Sequence, residues 1–386
     1  MKFPNIAIFF SIFIFGLIIG SHHNYPWNPI LDTSYKKTKK VVNSVIFSPN
    51  ERYVATTTND HFAFIWDVNS GRSISRLTGH KSLITSIDFS PDGQRIISGS
   101  NDETAKIWNV PDGKLLLNLT GHYGLVTHAL FNKDGRKAAT ASNDGIIKIW
   151  DTKTGELLFS LLGHRYSVKH NTSKTRLQFS PDGKMLVSIF TEDQNAIVWD
   201  VPTGRILHFL KGNTSGILNA AFSKDGKRLL TATADHRVTV WDTQSGKPIK
   251  ELPLVQVKLL NAIINEDGKL VVTLNEDNII RCWDIQKGKI IFKIKGKKRR
   301  LDRVTYSPKD IYLTSQMQGK HILIYLGKSG KLVKRLKAHK GNLTTFSFNR
   351  DGKYLLTTAD DGIASIWNTK DWKILISLNH NKTKFK

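Results

Sequence analysis

The sequence predicts an all-β chain that closes on itself as an eight-bladed β-propeller of four-stranded antiparallel blades, and three observations carry that reading. An aromatic residue followed by Asp or a substitute recurs at Trp66-Asp67, Trp108-Asn109, Trp150-Asp151, Trp199-Asp200, Trp241-Asp242, Trp283-Asp284, Tyr325-Leu326 and Trp367-Asn368. The intervals are 42, 42, 49, 42, 42, 42 and 42 residues, and self-similarity at a fixed period of this size marks stacked repeats. Within each repeat, short β-rich runs with period-two alternation are divided by turn residues, the pattern of a strand meander.

Along the chain, Lys2 precedes an apolar run from Ile6 to Ile19 broken only by Ser11 and Gly16. Its core is shorter than the ~20 residues of a full membrane span and suits a signal-peptide core. Residues 1–20 therefore read as a signal peptide or an uncleaved N-terminal anchor. Ile18 stands where cleavage sites favour a small side chain, and the lysines on either side leave the orientation open. Residues 21–37, polar with Pro26 and Pro29, read as a linker, and 38–386 as the repeat ring.

The second repeat shows the expected unit. Leu83 to Phe89 is a first strand, Ser90-Pro91-Asp92-Gly93 a turn, Arg95 to Ser100 a second strand, Ala105 to Trp108 a third and Leu115 to Leu119 a fourth. Asp-Gly tips recur at Asp134-Gly135, Asp182-Gly183, Asp225-Gly226, Asp267-Gly268 and Asp351-Gly352, as turns that need positive backbone angles require. The last repeat keeps its own fourth strand, Ile374 to Leu378, so the ring is expected to close without a shared strand. The alternative is seven regular blades with the seventh repeat, which lacks both Trp and Asp, distorted or pushed out.

Gly79-His80, Gly121-His122 and Gly163-His164 precede three of the units, and Ala338-His339 keeps the His of a fourth. On these marks, the aromatic-Asp pairs and the period, the sequence resembles the Trp-Asp (WD) repeat propeller family over nearly everything after the linker. Joined to a hydroxyl and an Asp, the histidines give four sets: His80, Ser98, Asp102 and Trp108; His122, Thr140, Asp144 and Trp150; His164, Ser188, Asp193 and Trp199; His339, Thr357, Asp361 and Trp367. A Ser, His and Asp within reach is also the composition of a hydrolase triad. The set recurs in several repeats, which no single active site needs, and the resemblance implies a buried structural hydrogen-bond network instead. In repeats five to seven the His position reads Asn213, Val255 and Lys297.

The formal charge of +25 is uneven. Residues 1–200 hold 22 Lys and Arg against 17 Asp and Glu, whereas residues 201–386 hold 35 against 15. Such a half attracts polyanions such as nucleic acid or an anionic membrane; a lysine-favouring composition gives the same count with no ligand. Lys297-Lys298-Arg299-Arg300 is the densest cluster and is either a phosphate- or carboxylate-binding loop or a solvated one. The loop face carrying the histidines is the second candidate surface, with Asn101, Tyr123, Asn143, Arg165, Tyr166 and Asp360 emerging there.

Cys282 is the single cysteine, which excludes an internal disulfide and a thiolate-built metal site. The chain has no Gly-rich phosphate loop, no Gly-x-Ser-x-Gly elbow and no metal-spaced His pair beyond His22-His23. The expectation is a non-catalytic scaffold without cofactor or metal, exported or tethered by its N-terminus, a monomeric ring within a complex. It would bind a protein partner on the loop face or, alternatively, an acidic or anionic ligand through the basic half.

Overall fold

The computed structural model describes residues 40–382 apart from 165–174, 192, 212–214, 254, 297 and 298. The segments read as signal or anchor (1–20) and as linker (21–37) lie outside the described residues. The compact unit begins at Lys39.

Each repeat folds as its own antiparallel sheet, giving eight four-stranded sheets whose strands are paired in chain order. Blade two consists of Ile84–Phe89, Arg95–Ser100, Ala105–Asn109 and Leu115–Leu119. Blade seven is complete: Leu301–Tyr306, Tyr312–Met317, His321–Leu326 and Leu332–Lys337 pair as a sheet like the others. That overturns the seven-bladed alternative, because Tyr325 is as buried as the tryptophans it replaces and fills the same position.

Burial explains why the strands differ in composition. First strands of successive blades touch one another and line the inside of the ring. Third strands such as Ala105–Asn109 have neighbouring blades on both faces and read as continuous apolar runs. Fourth strands such as Leu115–Leu119 form the outer edge and leave Leu115 and Leu116 exposed.

The turn after each first strand is set locally. In blade two, Ser90 Oγ accepts from Arg95 N at 2.9 Å, Asp92 Oδ1 accepts from Gln94 N at 2.9 Å, and Gly93 takes φ 70°. Blade one has Glu51 at φ 62° instead. Blade seven replaces the Asp-Gly tip with a 3-10 turn, Pro308–Asp310, in which Lys309 and Asp310 both have positive φ.

No single centre holds the core; it is divided into eight clusters, one at each interface between neighbouring blades. In each, the aromatic of the repeat packs against the preceding blade: Trp108 against Tyr53, Ile65 and Leu77, for example. A blade cannot bury its faces alone, so stability comes from stacking neighbours.

The eighth interface closes the ring without a shared strand. Trp66 and Phe64 of blade one pack with Leu356, Ile366 and Leu378 of blade eight, and Thr344 Oγ1 donates to the Val42 carbonyl at 2.7 Å. The repeat pattern assigned no histidine to blade one, yet one arrives from the far end of the chain. Trp66 Nε1 donates to Thr56 Oγ1 at 2.9 Å, and Thr56 Oγ1 lies 2.7 Å from His380 Nε2. The other ring nitrogen of His380 faces the Gly362 carbonyl at 3.2 Å, and its ring meets the Trp66 ring edge-on at 4.7 Å.

Burial lowers the His380 imidazole to about 4, against the raising effect of the Gly362 carbonyl. Unfolded, a histidine titrates near ~6.5, so the unfolded chain takes the proton first as the solution is acidified. The stability contributed by His380 is therefore complete above pH ~6.5 and is lost as the pH falls toward 4. His380→Ala is expected to lower unfolding free energy by about 1–3 kcal/mol at neutral pH in urea titration, because Thr56 loses its partner. It should also reduce the loss of stability between these two pH values. An unchanged urea midpoint would show that apolar packing closes the ring alone.

Candidate functional site

The four sets read from the sequence are assembled as continuous networks. In blade two, Trp108 Nε1 donates to Ser98 Oγ at 2.8 Å, and Ser98 Oγ stands 2.7 Å from His80 Nε2. His80 Nδ1 stands 2.8 Å from Asp102 Oδ2. The serine hydroxyl has one proton and already accepts from the indole, so it donates to Nε2, which places the imidazole proton on Nδ1 facing the carboxylate.

Blade three repeats this with Trp150, Thr140, His122 and Asp144 at 2.8 Å for each contact. Blade four uses Trp199 to Ser188 at 2.7 Å, Ser188 to His164 at 2.6 Å and His164 to Asp193 at 2.9 Å. Blade eight has Trp367 to Thr357 at 3.0 Å, Thr357 to His339 at 2.8 Å and His339 to Asp361 at 3.3 Å.

The Asp also holds the loop behind the histidine, since Asp102 Oδ2 accepts the Lys81 N–H and Asp144 Oδ2 the Tyr123 N–H. Burial alone would raise the Asp102 carboxyl, but hydrogen bonds from His80, Thr104 and Lys81 outweigh it and hold it well below the usual range. The glycine before the histidine lets the chain cross the indole: a Cβ at Gly163 would lie 3.0 Å from the Trp199 ring.

A hydrolase reading fails on access, because Ser98, Thr140, Ser188 and Thr357 are all fully buried and each already accepts a tryptophan N–H. These hydroxyls fasten the loop of one blade to its third strand. Blades five and six keep only the lower half, with Trp241 donating to Thr231 at 2.8 Å and Trp283 to Thr273 at 3.0 Å. Their Asp residues turn to arginines instead, Asp235 to Arg237 and Asp277 to Arg281. Cys282 is fully buried and its thiol is pushed up to about 11, chiefly by burial.

The candidate binding residues are distributed as follows. Tyr123 projects from the histidine loop of blade three and is 86% exposed. Asn101 and Asn143 are half-buried in the turns between second and third strands, each donating its backbone N–H back to the first strand's loop. Asp360, in the turn between the second and third strands of blade eight, is engaged with the histidine loop, accepting the Asn342 N–H at 2.8 Å and its side-chain amide at 3.2 Å. Arg165, Tyr166, Lys297 and Lys298 lie outside the described residues.

Arg299 and Arg300 are exposed at the start of blade seven, with Arg300 3.7 Å from Asp302. His321 gathers the positive field there: burial first, then Arg335, Arg299 and Lys337, lower its imidazole. Sequence reasoning missed this convergence because the four residues come from two strands of blade seven and from the loop that enters it. The innermost strands carry two further arginines that the sequence reading did not single out, Arg176 and Arg303, both reached by solvent.

Ser98→Ala is expected to cost about 2–4 kcal/mol in urea titration, since it leaves both the Trp108 N–H and His80 Nε2 buried without partners. Trp108→Phe, which removes the donor and leaves the Ser98–His80 bond, should cost less than Ser98→Ala. The reverse order would mean that packing of the indole, and not the network, carries the energy.

Comparison with known proteins agrees with this architecture. The family described as "WD domain, G-beta repeat" matches residues 31–67, 71–109, 113–151, 155–200, 204–242 and 330–368. The unmatched stretch between 242 and 330 holds blade six and the first three strands of blade seven, two blades that lack the network histidine. Transducin beta-like protein 2 of Mus musculus and of Homo sapiens are each 49% identical over 41 residues, 11% of this chain and 9% of those proteins. The similarity thus spans under a tenth of these relatives' length. The crystal structure of the computationally designed Ika8 protein is similar at a TM-score of 0.70 and 25% identity, covering 86% of this chain and 96% of that one. With repeats at the matched positions, eight four-stranded blades and the Trp-hydroxyl-His-Asp network in place, the chain belongs to the WD-repeat family of β-propellers.

Proposed function

We propose that the protein is a non-catalytic interaction scaffold that presents the histidine-loop face to a protein partner. WD propellers commonly bind protein partners, and the observation that favours this face is how it is built. In three of the complete networks the Asp holds the loop behind the histidine through the Lys81, Tyr123 or Lys340 N–H, while Tyr123 stands 86% exposed on one of these loops. A rigid, exposed aromatic is the kind of side chain that anchors an interface, because it carries large contact area at small entropic cost. The scaffold is exported or membrane-tethered through the apolar run from Ile6 to Ile19. Among the described residues no helix is long and apolar enough to cross a membrane, and that run lies outside them.

A second reading is favoured by one observation, the cationic cluster of Arg299, Arg335 and Lys337 around His321. The outer strands beside it add exposed Lys289, Lys293 and Lys295 on blade six and Lys334 on blade seven. In this reading an anionic polymer or membrane surface docks on the outside of blades six and seven.

Two measurements separate these. A photo-crosslinking residue at Tyr123 should capture a discrete partner in the native host, whereas the same residue at Lys153, on the opposite turns, should not; equal capture at both positions removes the loop face. Reversing Arg299 and Arg300 to Glu is expected to abolish polyanion binding and to leave the Tyr123 crosslink intact. Polyanion affinity should fall steeply with salt in the unaltered protein, with a slope set by the number of cations engaged.

A further inference from the structure

The inside of the ring has a defined polar level. On the first strand of each blade, the residue three places before the strand's last residue lies toward the histidine-loop end. At this level stand Arg176 in blade four, Asn219 in blade five and Asn261 in blade six, followed by Arg303 in blade seven and Thr345 in blade eight. Each arginine reaches to the same level of the following blade: Arg176 Nη1 donates to Asn219 Oδ1 at 3.2 Å, and Arg303 Nη1 donates to Thr345 Oγ1 at 3.0 Å. Asn219 passes the contact on, its amide donating to the Ala262 carbonyl at 2.7 Å. Both guanidinium groups are thereby held along the inner wall by neutral partners.

Among the described residues no ion pair involves Arg176 or Arg303. Two acids on the first strands are otherwise occupied. Asp302 lies 3.7 Å from Arg300. Asp88, two residues beyond the level in blade two, accepts the Phe131 N–H at 3.0 Å, and burial raises its carboxyl to about 7. Solvent reaches both arginines, yet burial lowers their guanidinium pKa values, and Arg176 is lowered further by Arg303. Exposure together with desolvation is the signature of a confined aqueous channel, in which the two like charges sense each other across the ring.

Two unpartnered polar atoms stand at the same level. Ser86 Oγ and Asn261 Oδ1 are buried without a hydrogen-bond partner, and a buried polar group left unpaired costs free energy unless water or a ligand satisfies it. Toward the opposite end of the ring lies a cavity of about 700 Å³, lined from Ser44, on this level, to Pro49, Pro91 and Pro181.

We infer that this level of the channel is a binding site for a phosphoryl oxyanion, free or carried on a larger ligand. Two uncompensated guanidinium groups call for a dianion, and each presents a planar fork that engages two oxygens at once. A tetrahedral phosphoryl group has enough oxygens to serve both forks from different directions, whereas one carboxylate has only two coplanar oxygens and satisfies a single fork. The site is separate from the loop-face partner and from the cluster around His321, and the failure of either of those readings leaves it untouched.

The test uses the full chain at fixed ionic strength, with inorganic phosphate, tripolyphosphate and N-acetylphosphoserine amide as probes and citrate as the carboxylate comparator. Calorimetric titration should show saturable binding of at least one phosphoryl probe and weaker binding of citrate. Arg176→Gln and Arg303→Gln should each weaken it by about tenfold or more, and Arg299→Gln with Arg300→Gln by less than about twofold. Inorganic phosphate binding identifies a free ion as the source; binding of the phosphoserine probe without it identifies a carried group. Binding of none of the probes, or binding insensitive to Arg176 and Arg303, overturns the inference. Should the variants fold poorly, phenylglyoxal modification of the unaltered protein decides the matter by peptide mass. The bound probe should slow modification of Arg176 and Arg303 but not of Arg300, and equal rates at all three overturn it.

Discussion

Everything in this molecule depends on the fact that a single blade of about 42 residues cannot bury its own two faces. The indole at the end of each third strand solves half of this problem by wedging against the preceding sheet, and its N–H must then be paired inside an apolar interface. A hydroxyl on the second strand takes that proton, a histidine from the incoming loop takes the hydroxyl's, and an Asp fixes the histidine and the backbone behind it. Packing, polar satisfaction and loop position are thus one arrangement, and a buried network of this kind is stable only when every member is satisfied.

The same requirement accounts for where the arrangement lapses. Without the histidine, blades five and six retain the indole-to-hydroxyl bond, because a buried N–H remains costly whatever the loop does. Blade seven replaces the tryptophan with Tyr325 and the network Asp with Gly319, and keeps its place in the ring through apolar contacts of Tyr325 with Val272, Leu274 and Leu313. Loops freed from the network have room for other chemistry, and it is beside Gly319 that Arg299 lies. The basic half and the degenerate repeats coincide for this reason in space as well as in sequence.

Ring closure follows from the same logic. Many closed sheets avoid a free edge by sharing a strand between the chain's ends; here the two ends meet through side chains, with Trp66 packed against blade eight and His380 completing the polar set of blade one. The interface between the first and last blades is thereby equivalent to the other seven in packing, and differs only in being made between chain termini.

By itself the sequence determined the repeat, the strands, most of the turns and four of the histidine networks, and favoured eight blades over seven. All of these are local or periodic: a strand is recorded in alternation, a turn in Asp-Gly, and a network in offsets that recur because each blade is built alike. Even the inserted residue of repeat four, which displaces Ser188 by one place, is legible against the other seven. What only the tertiary structure decided are contacts without a period. His380 meets Thr56 across 324 residues, and Arg299, His321, Arg335 and Lys337 converge from a loop and two strands. Arg176 and Arg303 share a level only because the ring brings blades four and seven around one axis. Such juxtapositions depend on closing the circle, and circular closure is a property of eight interfaces acting together that no single repeat records.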